Sequence, residues 1–144
     1  MTAGLRRAEP RDCRDLGAVF DTAFVAFREA GLKIPPVSEG LEQDIADNAV
    51  WVNEDEQGLN GGLILSMDEG CAHLILVAVH PRAGGQGIGK ALIKRAVAHA
   101  REAGLAEIRL ATHRDLTENV ALYRHLGWEI AGEEGDKILM RREL

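Results

Sequence analysis

The sequence predicts an α/β fold organised around a strand-helix-strand unit in its second half. Leu74–Val79 is a continuous apolar run of strand length, which is typical of a strand covered on both faces. From Ile88 onwards apolar residues recur at helical spacing, and Gly104 follows them in the place where a left-handed residue commonly ends a helix. Glu107–Thr112 predicts a further strand. The intervening helix favours a parallel arrangement of the two strands.

Strands and helices are also predicted on both sides of this unit. Alternating or apolar segments bounded by turn residues predict further strands over residues 5–8, 49–53, 59–67, 128–133 and 137–142. Helices are expected from Asp12 through Phe27, over residues 39–48, and from a start resembling a capping box at Asp115 to about Leu126.

The first predicted helix carries all three phenylalanines of the chain. Their helical spacing favours packing in the core. Alternatively, its end near Phe27 lines a substrate pocket, together with the loop up to Ser38 and with Trp51.

Composition and charge restrict the classes of function. The chain has 144 residues, 46% of them hydrophobic and 28% charged, which predicts one globular domain over residues 1–144. A formal net charge of -6 disfavours a nucleic-acid partner and is compatible with a cationic substrate. No apolar run is long enough to span a membrane, and the two cysteines have no metal-ligand spacing. We therefore expect a cytoplasmic protein with no membrane association and no metal.

The loop between the central strand and the next helix has four glycines in six residues, over positions 84–89. A helix that begins inside this loop leaves its first N–H groups unpaired, and glycine lets a ligand approach them closely. Such a helix end favours an anion, most naturally a phosphate.

Two nucleotide-binding motifs fit this loop incompletely. A dinucleotide fingerprint requires a third glycine where Leu92 stands. A P-loop matches at Gly84 and at Gly89-Lys90, but Ala91 occupies the place of the hydroxyl that binds Mg²⁺. A nucleotide hydrolase is therefore kept only as a subordinate hypothesis.

The loop resembles the acetyl-CoA-binding segment of the GNAT acetyltransferases. That family has a strand ending near Val-x-Pro, followed by Arg/Gln-x-x-Gly-x-Gly/Ala at the start of a helix. The corresponding residues here are Val79-His80-Pro81 and Gly87-Ile88-Gly89. The Arg or Gln position of the family falls on Gly84, so one side-chain contact to the pyrophosphate is missing. Arg82 and Gln86 are the candidates to replace it.

A second segment resembles the same family further along the chain. In its strand-helix-strand signature, Asn precedes Ala-Leu-Tyr and an aromatic residue follows Gly. Asn119, Ala121-Leu122-Tyr123 and Gly127-Trp128 occupy these places. The two motifs together imply the GNAT fold, an α/β fold in which about four helices flank a central mixed, mostly antiparallel sheet of six to seven strands.

The resemblance also implies which residues serve the coenzyme. The glycine loop would hold the pyrophosphate, and the main chain of the fourth strand would pair with the pantetheine arm and polarise the thioester carbonyl. Tyr123 would act as general acid to the departing thiolate. The predicted coenzyme-binding residues are Val77, Ala78, Val79, Arg82, Gly84, Gly85, Gln86, Gly87, Ile88, Gly89, Lys90, Asn119 and Tyr123.

The general base is less well defined by the sequence. His73 lies four residues before Val77, near the place where many family members carry a glutamate, and histidine titrates in a suitable range. Glu69, His113 and a chain of water molecules are alternatives.

The function implied is an N-acetyltransferase that passes the acetyl group of acetyl-CoA directly to a primary amine of a small molecule or a protein terminus. The alternative is a GNAT-fold module that binds acyl-CoA without catalysis. Homodimerisation is common in the family.

Overall fold

The computed structural model describes residues 4–29 and 40–144 of the chain, without the side chains of residues 26–29. Within these residues the chain forms seven strands and four α-helices. The strands are β1 (Leu5–Arg7), β2 (Ala49–Asp55), β3 (Gly58–Asp68), β4 (Cys71–Val79), β5 (Glu107–His113), β6 (Glu129–Glu134) and β7 (Lys137–Glu143). The helices are α1 (Cys13–Glu29), α2 (Leu41–Asp47), α3 (Ile88–Glu102) and α4 (Thr117–His125).

The strands form one mixed sheet in the order β1-β2-β3-β4-β5-β7-β6. The pairs β1–β2, β2–β3, β5–β7 and β6–β7 are antiparallel, whereas β4 and β5 are parallel. The helix α3 connects the two parallel strands, as such a connection requires. The predicted fold class is therefore confirmed, including the parallel pair predicted from the strand-helix-strand pattern.

The described residues belong to two compact units. The first comprises the described parts of Met1–Leu65 together with Leu76–Arg95. Its core is a cluster of aliphatic side chains and one phenylalanine from α1, α2 and the strands: Leu16, Phe20, Leu41, Val50, Val52, Ile64 and Ala78. Gly62 allows α1 to lie against β3, since a Cβ atom there would collide with Leu16 Cδ1. The glycine loop belongs to this unit.

The second unit comprises Ser66–Ile75 and Ala96–Leu144. Its buried residues include Ile108 and Leu110 on β5, Met140 on β7, and the aromatic side chains Tyr123 and Trp128. The parallel pairing of β4 with β5 lies within this unit and runs from Cys71↔Glu107 to Leu74↔Leu110.

The central strand differs from its prediction in two respects. It begins at Cys71, three residues before the apolar run, and it includes His73 as expected. It is also not covered on both faces, because Ile75 is 55% exposed and Val77 is half-buried. The proposed substrate-pocket loop lies largely outside the described residues, and the side chain of Phe27 is likewise not described.

Candidate functional site

The glycine loop follows β4 through a single 3-10 turn at Pro81–Ala83. Beyond this turn Gly85 and Gly87 both have φ 77°. This left-handed conformation is costly for residues with a Cβ atom, so glycine is required at these two positions. A Cβ atom at either position would meet no heavy atom within 4 Å. The surrounding space is therefore open to a ligand.

The helix α3 begins directly after the second of these glycines. Its first helical hydrogen bond runs from Ala91 N to Gly87 O at 3.0 Å. The preceding amides of Ile88, Gly89 and Lys90 thus have no acceptor on an earlier turn of the helix. Such amides attract an anion.

Gly84 differs in conformation from the two glycines in the left-handed region. Its backbone has φ -63° and ψ 151°, which any residue can adopt. An added Cβ atom would lie 3.4 Å from Pro81 O, an ordinary van der Waals contact. The backbone at Gly84 therefore leaves room for the Arg or Gln side chain that the GNAT acetyltransferases carry at this position.

Arg82, one of the two candidates to replace that side chain, is directed to the β2–β3 turn. Its Nη1 donates to Asp55 Oδ2 at 2.6 Å, and its Nη2 donates to the carbonyl oxygens of Gly58 (3.4 Å) and Leu59 (3.2 Å). Gln86 and Lys90 are exposed, and so are Gly84, Gly85 and Gly87.

Asp55 is a member of the site region that the sequence motifs did not indicate. The Arg82 guanidinium beside it lowers the pKa of Asp55 to about 2, and hydrogen bonds from the main chain of Gln57 and from Asn60 act in the same direction. Asn60 is buried at 1% exposure and accepts a hydrogen bond from Asn53 Nδ2 at 2.8 Å. The available sequence signal was Asn60 itself, a polar residue inside the strand predicted over residues 59–67, because polar groups within a buried strand are normally hydrogen-bonded.

The main chain of β4 extends well beyond its parallel pairing. The pairing with β5 ends at Leu74, whereas β4 continues to Val79. Val77 and Val79 are half-buried and Ala78 is buried. The predicted coenzyme-binding residues from Val77 to Lys90 all belong to the first unit, whereas His73, Asn119 and Tyr123 belong to the second.

Tyr123 is a buried residue near the end of α4. Its exposure is 6%, and its ring makes an edge contact with Trp128 at a centroid distance of 5.5 Å. Burial raises the pKa of the Tyr123 hydroxyl well above its ordinary value. The hydroxyl therefore stays protonated throughout the neutral range and is able to donate a proton.

The end of α4 near Tyr123 is well defined. Gly127 has φ 96°, and Trp128 N donates to Tyr123 O at 3.0 Å. The start of the helix differs from its prediction. Leu116 rather than Asp115 precedes the first helical residue, and no side-chain hydrogen bond caps the helix. Asn119 is exposed in the first turn.

The three candidate bases have different surroundings within the second unit. His73 Nε2 lies 3.3 Å from Asp68 Oδ2, and the imidazole is 42% exposed. His113 Nδ1 accepts a hydrogen bond from Asp115 N at 3.1 Å, so its other ring nitrogen is the one that carries the proton when the ring is neutral. Glu69 is exposed in the turn before β4.

The described part of the chain offers neither a ready-made metal site nor a membrane-spanning helix. In the ranges 4–29 and 40–144, no group of three or more His, Cys, Asp or Glu residues is arranged to hold a metal ion. Among the helices described, none is long and apolar enough to cross a membrane.

Comparison with known proteins gives one family. The model of the acetyltransferase (GNAT) family matches residues 17–128 of the chain, which include the glycine loop and the Asn119–Trp128 segment. A mycothiol acetyltransferase of Saccharomonospora viridis is 41% identical over 54 residues, covering 38% of this chain and 18% of that protein. The match thus spans less than a fifth of that relative.

Solved structures resemble the whole fold. The PaiA N-acetyltransferase of Thermoplasma acidophilum, in complex with coenzyme A, aligns with a TM-score of 0.89 at 20% identity, over 100% of both chains. The ribosomal-protein-S18-alanine N-acetyltransferase of Escherichia coli aligns with a TM-score of 0.83 at 18% identity, over 99% of this chain and 94% of that one.

Proposed function

Because the chain belongs to the acetyltransferase (GNAT) family, we propose that it transfers the acetyl group of acetyl-CoA to a primary amine. The observation that carries this proposal is the loop before α3. Gly85 and Gly87 take the left-handed conformation there, and the first amides of the helix follow immediately. This is an arrangement for binding a pyrophosphate through the main chain.

In this proposal the first unit binds the coenzyme. The amides at the start of α3 hold the pyrophosphate, and Lys90 adds a positive charge in the first turn. The main chain of Val77–Val79 is the segment of β4 beyond the β5 pairing, which supports a role in pairing with the pantetheine arm. An N–H group of this segment would polarise the thioester carbonyl.

The chemistry requires no covalent intermediate with the enzyme. The neutral amine nitrogen attacks the thioester carbonyl carbon, so a C–N bond forms and the carbonyl oxygen becomes an oxyanion. Collapse of this tetrahedral species breaks the C–S bond. Tyr123 protonates the departing thiolate, a role supported by its buried hydroxyl, which holds its proton at neutral pH. The proton of the attacking amine passes to the general base.

His73 is the base that we propose for this step. Its imidazole is partly exposed, and its Nε2 lies 3.3 Å from Asp68 Oδ2, which orients the ring. Glu69, His113 and solvent water remain the alternatives, and a pH profile of the His73→Gln variant distinguishes them. Loss of the acidic limb of kcat/KM in that variant would support His73.

The acceptor is proposed as a class, a primary amine on a small molecule or a protein terminus. The Escherichia coli structural relative is named for an alanine of a ribosomal protein, which supports a protein terminus as the acceptor. The net charge of -6 is compatible with either cationic amine. A cytoplasmic location and a homodimer stay predictions.

Calorimetric titration of acetyl-CoA, coenzyme A and ATP with Mg²⁺ into the purified protein tests the proposal. We expect binding of the first two ligands and none of ATP. Release of free thiol in the presence of a panel of amines then separates an enzyme from a module that only binds acyl-CoA. Absence of acetyl-CoA binding would refute the assignment of the loop.

A further inference from the structure

We propose that Arg82 is a positioning residue that fixes the glycine loop in its coenzyme-binding conformation by clamping it to the β2–β3 turn. This inference rests on the proposed function, because it concerns the loop that would hold the pyrophosphate. It also assigns to Arg82 a role different from that of a phosphate ligand.

The contacts of the Arg82 side chain support a clamp. Both outer nitrogens of its guanidinium are engaged, Nη1 with the Asp55 carboxylate and Nη2 with the carbonyl oxygens of Gly58 and Leu59. The planar guanidinium can hold several acceptors at once. Three acceptors from one turn therefore hold one residue of the loop.

The turn that receives Arg82 is itself rigidly held. Asp55 Oδ1 accepts from Gln57 N at 2.8 Å, and Asp55 Oδ2 accepts from Asn60 Nδ2 at 3.1 Å. The buried Asn60 also connects the turn to the loop through its main chain, since Asn60 O accepts from His80 N at 2.7 Å. The clamp thus joins the loop to a fixed part of the first unit.

The other end of the loop is fixed by α3. A Cβ atom added to Gly61 would meet Ile88 Cγ2 at 3.0 Å and Leu92 Cδ1 at 3.3 Å, so the first turns of the helix pack closely on β3. Gly84–Gly87 therefore runs between two anchored points, Arg82 on one side and Ile88 on the other.

A glycine-rich segment needs such anchors. Glycine loses more conformational freedom on ordering than any other residue, and this cost opposes ligand binding unless the segment is ordered beforehand. The family's side chain at position 84 is absent here. We infer that Arg82 contributes to coenzyme affinity by ordering the loop amides before the ligand arrives.

A double-mutant cycle on acetyl-CoA affinity tests the clamp. We expect Arg82→Ala and Asp55→Ala each to weaken binding about ten-fold, and the double variant to be no weaker than either single one. Arg82→Lys should show an intermediate loss, because a point-like ammonium retains one of the three contacts. If Arg82 bound the phosphate directly, Asp55→Ala would leave affinity unchanged or raise it, which would overturn the proposal.

Hydrogen exchange of the loop amides tests the same clamp without any ligand. Both alanine variants should accelerate exchange about ten-fold at the hydrogen-bonded loop amides of His80, Ala83 and Gly84, relative to the wild type. Arg141→Ala is the matched control, because Arg141 also donates to three acceptors, Glu107, Glu129 and Glu143, in the second unit. It should leave both the loop exchange and the acetyl-CoA affinity within two-fold of the wild type, because its three partners belong neither to the loop nor to the β2–β3 turn.

The two measurements separate failure of this inference from failure of the proposed function. A wild-type protein that does not bind acetyl-CoA would refute the proposed function, while faster loop exchange in both alanine variants would still support the clamp. Unchanged exchange in both variants would overturn the clamp, whether or not acetyl-CoA binds.

Discussion

The glycine loop and the Tyr123 segment of α4 prepare their chemical groups in opposite ways. In the loop the proposed binding surface is main chain, and no side chain covers it: Gly85 and Gly87 have open space where a Cβ atom would lie. Around Tyr123 the proposed proton donor is one side chain, and the surroundings exclude water from it. The loop exposes its main chain through the backbone conformation of its glycines, whereas the Tyr123 hydroxyl is set apart by its removal from water.

This contrast determines what each region tolerates. A main-chain cradle depends on φ angles, so it is sensitive to any side chain placed at the left-handed positions. A desolvated hydroxyl depends on one oxygen atom, so it is sensitive to removal of that atom even when shape is conserved. Two kinds of substitution therefore test the two regions separately. An added side chain tests the loop, and removal of one oxygen atom tests Tyr123.

The largest effect is expected from Tyr123→Phe. The variant retains the ring that contacts Trp128 but removes the proton donor, so we expect kcat to fall about 100-fold while the acetyl-CoA dissociation constant stays within two-fold. Because the pKa of Tyr123 is raised, its hydroxyl remains protonated up to at least pH 10. The wild-type kcat should accordingly show no decline from tyrosine ionisation between pH 7 and about 10.

Steady-state kinetics and calorimetry on the same Tyr123→Phe preparation measure both quantities. Equal turnover in variant and wild type would remove Tyr123 from the mechanism. An equal loss of affinity and turnover would instead indicate a structural role in the second unit.

A smaller effect is expected from Gly87→Val. At φ 77° a β-branched residue is strained, so the loop must shift to accommodate it, and we expect acetyl-CoA affinity to fall about ten-fold. Gly104→Val is the matched control, since Gly104 has φ 78° and open surroundings at the end of α3. Both variants should lose thermal stability, but only Gly87→Val should lose affinity in calorimetry. Unchanged affinity in Gly87→Val would place the coenzyme elsewhere.

The smallest effect, a gain, is expected from Gly84→Arg. The backbone at Gly84 accepts any residue, and a guanidinium there would face the proposed pyrophosphate, so affinity should rise about three-fold. Gly84→Glu carries the opposite charge at the same position and should weaken binding by a similar factor. If both variants changed affinity in the same direction, the change would come from loop conformation rather than charge.

Local signals in the sequence were sufficient for most of the fold. The end of α3 at Gly104 was predicted from one glycine, and its φ of 78° confirms this. Helical periodicity after Ile88 located the start of the same helix, and the strand that follows it is parallel to β4 as predicted. Neighbouring residues determine where the helix begins and ends, and the helical connection restricts the orientation of the two strands that it joins.

Features that depend on distant residues were not predicted. The partner of Arg82 is Asp55, separated from it by 27 positions, and no spacing rule connects them. The exposure of Ile75 depends on which face of β4 is left uncovered, which an apolar run does not indicate. Asp115 has a carboxylate that could accept a hydrogen bond from the first amides of a helix. The N-cap position of α4 is nevertheless occupied by Leu116. The roles of Tyr123, Asn119 and His73 stay predictions.

The ordinary backbone angles of Gly84 also bear on how this chain can change over generations. A single base substitution converts a glycine codon into an arginine codon, and the backbone at position 84 would accept the new residue without rearrangement. The chain is thus one mutational step from the family's usual sequence at this position, with no strained intermediate.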